Sequence, residues 1–390
     1  MGKKKDTRLN HTGRDPHANF GIVNPPIYHA STILYPTLEE MEKAAGHPHT
    51  GVYYGRWGTP TSFALEEAMA ELEGGDKGIA TCSGLAAIAG ALLSCLQAGD
   101  HLLMVDNVYA PSRRLCDGLL KRFGVETTYY DPMIGGGIKD LIQPNTKVVF
   151  TESPGSLTFE VPDIPALADA AHSADCLVML DNTWSAGYFF QPFEHGVDIS
   201  IQAITKYVSG HSDIMMGSIV TPEKLYERIK KQVAGLGYSA APDDCYLALR
   251  GLRTLGPRLR QHQETGLKLA RWLQQRAEVK TVLHPAQPDC PGHDIWKRDF
   301  TGASGLFSMI IDETPKEALA AMLDGFELFG MGYSWGGYES LMIPSDPAQI
   351  RTATPWPGTG TLLRLHAGLE DADDLIADLE AGFERLNAMR

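Results

Sequence analysis

The sequence predicts an α/β protein: a mainly parallel central sheet with helices on both faces, followed by a smaller α+β C-terminal domain. Three observations carry that expectation. Short apolar runs at 78–81 (GIAT), 101–105 (HLLMV), 147–151 (KVVFT), 176–180 (CLVML) and 199–204 (ISIQAI) alternate with helical stretches. Both faces of these runs are mostly apolar, as strands covered by helices on both sides must be. Beyond residue 243 the alternation gives way to a long helical stretch and then to mixed short strands and helices.

Taken in order, residues 1–60 hold turn signals such as "NPP" and "YP" and little periodicity, which reads as an extended arm. "TSFALEEAMAELEGG" (61–75) is an amphipathic helix with a glycine stop. The five apolar runs follow as strands. "DDCYLALRGLRTLGPRLRQHQETGLKLARWLQQR" reads as a long helical stretch interrupted near Gly256-Pro257, and "ASGLFSMIID", "KEALAAMLDGF" and "TLLRLHAGL" supply the smaller domain. The expected divisions are an arm over 1–60, a large domain over 61–250 and a small domain over 251–390.

Composition excludes several classes. With 390 residues, 43% apolar and 21% charged, the chain can bury a large core. A net charge of −14 argues against nucleic acid or an anionic membrane as partner. Lys3-Lys4-Lys5 reads as a solvated tail, and Asp6 stands where a myristoylation signal requires Ser or Thr. The run "GLAAIAGALLSCLQAG" is too short to span a membrane, and no signal peptide is expected. The six cysteines are scattered without a CxxC pair, which reads as buried free thiols of a cytoplasmic protein. No HExxH pattern occurs among the thirteen histidines, and no metal site is expected.

The ends of the apolar runs carry the chemistry. They lead to Cys82-Ser83-Gly84, to Asp106, Asn107 and Tyr109, to Glu152, to Asp181-Asn182-Thr183-Trp184, and to Thr205-Lys206. In open parallel sheets ligands bind beyond the carboxyl ends of the strands, so five polar strand ends on one edge argue for a site. Ser83-Gly84-Leu85 opens an alanine-rich helix, whose free N–H groups suit a phosphate, although most such helix starts bind nothing. Lys206 is either a salt-bridged structural lysine or, at a desolvated strand end, a usable neutral amine. Asp181 is either a helix cap or the partner of a protonated ring nitrogen. Together these describe a pyridoxal phosphate site: Lys206 holds the cofactor as a Schiff base, Asp181 pairs with its ring nitrogen, Tyr109 stacks on the ring, and Gly84, Leu85 and Thr205 hold the phosphate.

"YYGRWGTPT" (53–61), "CSGLAAI" (82–88), "DNTWSAGYFFQP" (181–192), "SIQAITKYVSGHSD" (200–213), "LRGLRTLGPRLRQH" (249–262), "YSWGGYESL" (333–341) and "LLRLHAGLEDADDLIADLE" (362–380) resemble the transsulfuration family of pyridoxal phosphate enzymes, most closely its bacterial β-lyase branch. The resemblance implies fold type I and a homotetramer built from two tight dimers. It implies that Tyr54 and Arg56 reach the phosphate of the partner subunit's cofactor, as a guanidinium suits. It implies that Arg364 anchors the substrate α-carboxylate, a residue that the sequence alone also allows as an interdomain ion pair. It also implies that Ser334 and Trp335 line the substrate pocket, with Tyr333, Tyr54 and Tyr109 beside them, and that Ser83 joins the cofactor contacts.

Departures from the family pattern are Leu85, where Met is usual, and Ala203, where many relatives carry a second hydroxyl. Tyr333 and Trp335 stand where γ-acting relatives tend to show Glu and Leu, which favours β-elimination. The implied reaction is the cleavage of L-cystathionine to homocysteine, pyruvate and ammonia on the route to methionine, with Lys206 moving the protons. The alternatives are a γ-acting relative (cystathionine γ-lyase, methionine γ-lyase or a γ-synthase) or a broad cysteine-S-conjugate β-lyase or cysteine desulfhydrase.

Overall fold

The computed structural model describes residues 2–356 and 358–389. The large sheet contains β1 (Lys77–Thr81), β2 (His101–Val105), β3 (Glu126–Tyr130), β4 (Thr146–Glu152), β5 (Leu177–Asp181), β6 (Ile199–Gln202) and β7 (Gly217–Thr221). Its spatial order is β1-β7-β6-β5-β4-β2-β3. The pairs from β6 through β5, β4 and β2 to β3 are parallel, while β7 runs antiparallel to both β6 and β1. The mainly parallel sheet is thus as expected. The runs at 78–81, 101–105, 147–151, 176–180 and 199–204 all fall on strands, to within a residue or two at the ends.

Two strands of the large sheet escape the sequence reading, as do the strands Val279–Leu283 and Leu341–Ser345 of the smaller domain. β3 (ETTYY) edges the sheet and is half polar, so it lacks a continuous apolar run. β7 (GSIVT) is fully buried but short, and it emerges directly from the Gly/Ser-rich turn after Lys206. It fills the gap between β6 and β1, and without it β1 has no partner in the sheet.

The helix expected over 61–75 spans Pro60–Glu73. Its start is fixed by Ser62, whose Oγ accepts from the Thr59 N–H at 3.0 Å, and by proline in the first turn. Gly74, at φ +80, supplies the left-handed stop. The break in the later helical stretch falls at Thr254, between helices Pro242–Arg253 and Leu255–Leu273. Pro257 lies within the first turn of the second helix, where its missing N–H has no intrahelical partner to lose, so it does not break the helix.

That second helix joins two cores. Leu255 and Leu259 pack in the core of the large sheet, while Leu269, Ala270 and Leu273 pack with Phe307, Leu365 and Phe383 in a separate core. The separate core lies against an antiparallel sheet ordered β10-β11-β9-β8, formed by β8 (Val279–Leu283), β9 (Leu306–Ile311), β10 (Leu341–Ser345) and β11 (Thr361–His366). No helix among the described residues is long and apolar enough to cross a membrane.

The first residues are less extended than the sequence suggests. Lys5–His11 is a helix, and its Leu9 is buried at 2% exposure. Lys5 Nζ donates to the carbonyls of Gly187 (3.1 Å) and Tyr188 (2.8 Å), and Asp6 accepts from the Tyr188 hydroxyl (2.8 Å). Past this docked helix the chain exposes large apolar side chains, with Phe20 at 100% and Leu34 at 89%.

The loop between β10 and β11 is fastened to the large domain by Asp106, which follows β2. The Asp106 carboxylate accepts from the backbone N–H groups of Thr352 (3.0 Å), Ala353 (2.9 Å) and Thr354 (2.9 Å) and is paired with Arg113. Arg351 adds an ion pair to Glu160, which also accepts from Asn107 Nδ2 at 2.9 Å. Asp106→Ala leaves Arg113, its side chain 7% exposed, without its carboxylate. Such a loss costs about 3–5 kcal/mol, and denaturant unfolding should show it together with faster amide exchange at Thr352–Thr354. Unchanged stability and exchange would show that the loop is held by something else.

Candidate active site

The carboxyl ends of β1, β4, β5 and β6 open onto one cavity of about 420 Å³, closed on its far side by the small domain. Lys206, Asp181, Tyr109, Ser83, Gly84, Leu85, Thr205, Tyr333, Ser334, Trp335 and Arg364 all border it. Residues separated by up to 281 positions are thereby brought together. Tyr54 and Arg56 do not border this cavity. Both are exposed, and Arg56 donates to the carbonyl of Ala234.

Lys206 stands in the turn after β6, its backbone N–H bonded to Ala203 O at 3.0 Å. Its Nζ donates to Ser334 Oγ at 2.6 Å and lies 5.3 Å from the centre of the Trp335 ring. Burial, and then the Arg364 guanidinium, lower its pKa to about 8, with Asp181 opposing them. Among the described residues Lys206 forms no ion pair, so nothing locks the amine in its charged form.

Asp181 ends β5 and is 8% exposed. Its Oδ1 accepts from the Thr183 N–H (3.0 Å) and from the Thr183 hydroxyl. Thr183 Oγ1 in turn accepts from Ala203 N–H at 3.0 Å, tying the end of β5 to the turn that carries Lys206. Burial raises the Asp181 pKa despite the Thr183 bonds. Its neighbour across the strand pair is Glu152, raised well above the usual carboxyl range by burial and by Asp181. Two carboxyl groups on adjacent strand ends, without a paired cation among the described residues, form a site that a cationic ligand atom stabilises.

Ser83 caps the helix Gly84–Cys95, its Oγ accepting from Ala86 N–H at 3.0 Å. The N–H groups of Gly84 and Leu85 in that first turn have no intrahelical partner. A Cβ on Gly84 would fall 2.7 Å from Ala203 Cβ, so glycine alone lets the helix start approach the Lys206 turn this closely. Thr205 Oγ1 accepts from Met216 N–H (2.9 Å) and lies 3.1 Å from Met216 O. Its one proton thus already has an acceptor, and a phosphate would have to compete for it.

Ser334, at φ +80, serves two residues at once. Its hydroxyl holds Lys206, and its carbonyl accepts from Arg364 Nη2 at 2.9 Å. Arg364 sits on β11, between Ser308 and Ile343 of the neighbouring strands. Burial lowers its pKa to about 10, so it stays cationic at neutral pH. His366 Nε2, two residues on, lies 3.1 Å from Gly336 N and braces the Ser334–Gly336 turn. Tyr109 donates its backbone N–H to Glu152 Oε2 at 2.7 Å, and burial raises its phenol pKa above 10. The residues present thus fit pyridoxal phosphate: an amine that gives up its proton readily for the aldehyde, a buried carboxyl for the ring nitrogen and a glycine-opened helix start for the phosphate.

Sequence reasoning placed most of this set but missed other walls of the cavity. Glu152 was visible at the end of its run but had no assigned role. Thr183 adjoins Asp181, and its bridging role follows from tertiary geometry alone. The loop from Pro154 to Phe159 also lines the cavity and carries no periodic signal.

The family model described as "Cys/Met metabolism PLP-dependent enzyme" matches residues 6–384. A putative cystathionine β-lyase of Rhizobium johnstonii is 49% identical over 389 residues, 98% of this chain and 97% of that protein. The cystathionine β-lyase MetC of Escherichia coli K12 is 47% identical over 391 residues, 98% of this chain and 99% of that protein. Among solved structures, a cystathionine γ-synthase from Xanthomonas oryzae pv. oryzae superposes with a TM-score of 0.91 over 100% of both chains at 32% identity.

The lysine environment sets a pH dependence. In the cofactor-free fold Lys206 loses its proton near pH 8, whereas the unfolded chain holds it to about 10.5. Between those values the unfolded chain binds more protons, so folding stability contributed by this group rises with pH. Labelling of Lys206 by an amine-directed reagent, read by peptide mass spectrometry, should be half-maximal near pH 8; a midpoint near 10.5 would contradict the assignment.

Proposed function

We propose, for a chain that belongs to the Cys/Met metabolism PLP-dependent enzyme family, the β-elimination of L-cystathionine to homocysteine, pyruvate and ammonia. The chain is a pyridoxal phosphate-dependent carbon–sulfur lyase, and the two β-lyase relatives named above stand at 47% and 49% identity against 32% for the γ-synthase. The observation that carries the reading is the uncharged-prone Lys206 amine in one cavity with Asp181 and Arg364. Tyr333 at the cavity mouth, where γ-acting relatives tend to carry a carboxylate, supports β- over γ-chemistry.

When bound, the cofactor supplies an electron sink for the bond broken at Cα. Arg364 fixes the substrate α-carboxylate and so orients the Cα–H bond towards the site's base. Lys206 accepts the Cα proton and returns a proton to the departing sulfur as the Cβ–S bond breaks. Ser334 aims that amine, since its hydroxyl is the bond Lys206 makes in the fold. Asp181 would hold its countercharge against the ring nitrogen, and Thr183 keeps the carboxylate in place. Tyr109 would stack on the ring, Gly84 and Leu85 would hold the phosphate, and Trp335 and Tyr333 would bound the substrate's thioether side.

The assembly belongs to the same proposal. The exposed apolar side chains beyond the docked N-terminal helix, Phe20 and Leu34 among them, support an arm that covers a neighbouring copy. Tyr54 and Arg56 then serve the neighbour's phosphate, within a homotetramer of two dimers. The six free cysteines, five of them buried, suit the cytoplasm.

Product analysis with L-cystathionine tests the reaction: pyruvate is expected, and 2-oxobutyrate would instead establish the γ-acting reading. Lys206→Ala should remove the visible cofactor band and essentially all turnover; a variant with the wild-type spectrum and rate would take Lys206 out of the mechanism. Arg364→Ala should lower kcat/KM roughly 10- to 100-fold, the effect of losing a charge-assisted hydrogen bond. Unchanged kinetics would refute the carboxylate role.

A further inference from the structure

Glu73, the last residue of the helix Pro60–Glu73, is a fully buried carboxyl that the mechanism above leaves unused. It is 0% exposed, and it sits at a helix C-terminus, where the macrodipole disfavours negative charge. Both facts make it a costly place for a carboxylate. The fold meets that cost with a specific set of donors. Glu73 Oε2 accepts from Asn182 Nδ2 (2.9 Å) and Ser200 Oγ (2.8 Å), and Oε1 accepts from Gln202 Nε2.

The placement of those donors is informative. Asp181 pairs with Ile201 across β5 and β6. Asn182 follows Asp181, and Ser200 and Gln202 flank Ile201 on either side. Side chains alternate along a strand, so the three donors share the face opposite to Asp181. Glu73 therefore grips both strands from behind, at the register position where they deliver Asp181 and, four residues after Gln202, Lys206. The enclosure is tight: at Gly187 (φ +62) a Cβ would lie 2.7 Å from Glu73 Oε1 and 2.8 Å from Gln202 Nε2. Lys5 of the docked N-terminal helix bonds the carbonyl of that same Gly187. Lys5 also bears on Glu73, whose pKa burial raises to about 7 against the pull of the three donors and of Lys5.

We propose that Glu73 is a positioning residue: by clamping Asn182, Ser200 and Gln202 it sets the spacing between Asp181 and Lys206 without touching cofactor or substrate. The proposal rests on the reading of those two as the residues facing the cofactor ring and aldehyde.

The test is Glu73→Gln in the holoenzyme, which keeps size but replaces one accepting oxygen with a donor. The variant is checked for folding by circular dichroism and thermal melting. Its visible cofactor band is titrated against pH, and kcat and KM are measured separately. We expect a midpoint moved by about half a pH unit or more, and kcat lowered about tenfold with KM within about twofold of wild type. A folded variant with the wild-type midpoint and kcat overturns the proposal. If E73Q does not fold, Gln202→Ala, which removes one donor and leaves the carboxylate in place, is read in the same way and decides it. A wild-type holoenzyme without a visible band would instead fail the cofactor reading, leaving the two failures distinct.

Discussion

The withdrawal of one ammonium group from water governs the site. A lysine at the end of a buried strand has two ways to avoid the cost of its charge: it can pair with a carboxylate or give up its proton. Here the carboxylate that bears on it, Asp181, is occupied by both the N–H and the hydroxyl of Thr183, and Lys206 is held by the neutral hydroxyl of Ser334. Arg364 across the cavity pushes in the same direction as burial. Had Lys206 and Asp181 closed on each other, both would be charged and neither would be free for a ligand. The fold keeps them apart, and that separation leaves an amine able to act as nucleophile and base beside a carboxyl able to meet a ring nitrogen.

Much of the architecture serves that separation. The parallel order β6-β5-β4 delivers Lys206, Asp181 and Glu152 to one edge. The small domain brings Ser334 and Arg364 to the opposite wall, and Asp106 ties its β10–β11 loop to the turn that presents Tyr109. Ser334 then couples the amine to the guanidinium through one residue. A shift of the small domain would consequently move the carboxylate anchor and the base together.

The fold class, the five runs that became strands of the large sheet and most of the cavity residues were legible in the sequence because each rests on a local signal. Apolar runs bounded by turns mark buried strands, and a polar residue at the end of such a run stands out. β3 was not legible, because an edge strand with polar residues carries no continuous run; β7 was too short and too close to a glycine-rich turn. Thr183, the loop at 154–159 and Glu73 were illegible for another reason. Their roles exist only once strands that are distant in sequence lie side by side, and Glu73 reads locally as one more acidic residue before a helix-ending glycine. Arg364 shows the limit from the other side. The sequence alone allowed an ion pair for it, and its guanidinium instead bonds a carbonyl and faces the cavity.

Borohydride reduction of the holoenzyme, followed by proteolysis and mass spectrometry, tests the central claim most directly, because it fixes the cofactor to whichever amine holds it. The account predicts the reduced pyridoxyl mass on the single peptide containing Lys206. The same mass on another lysine, or on none, would contradict it.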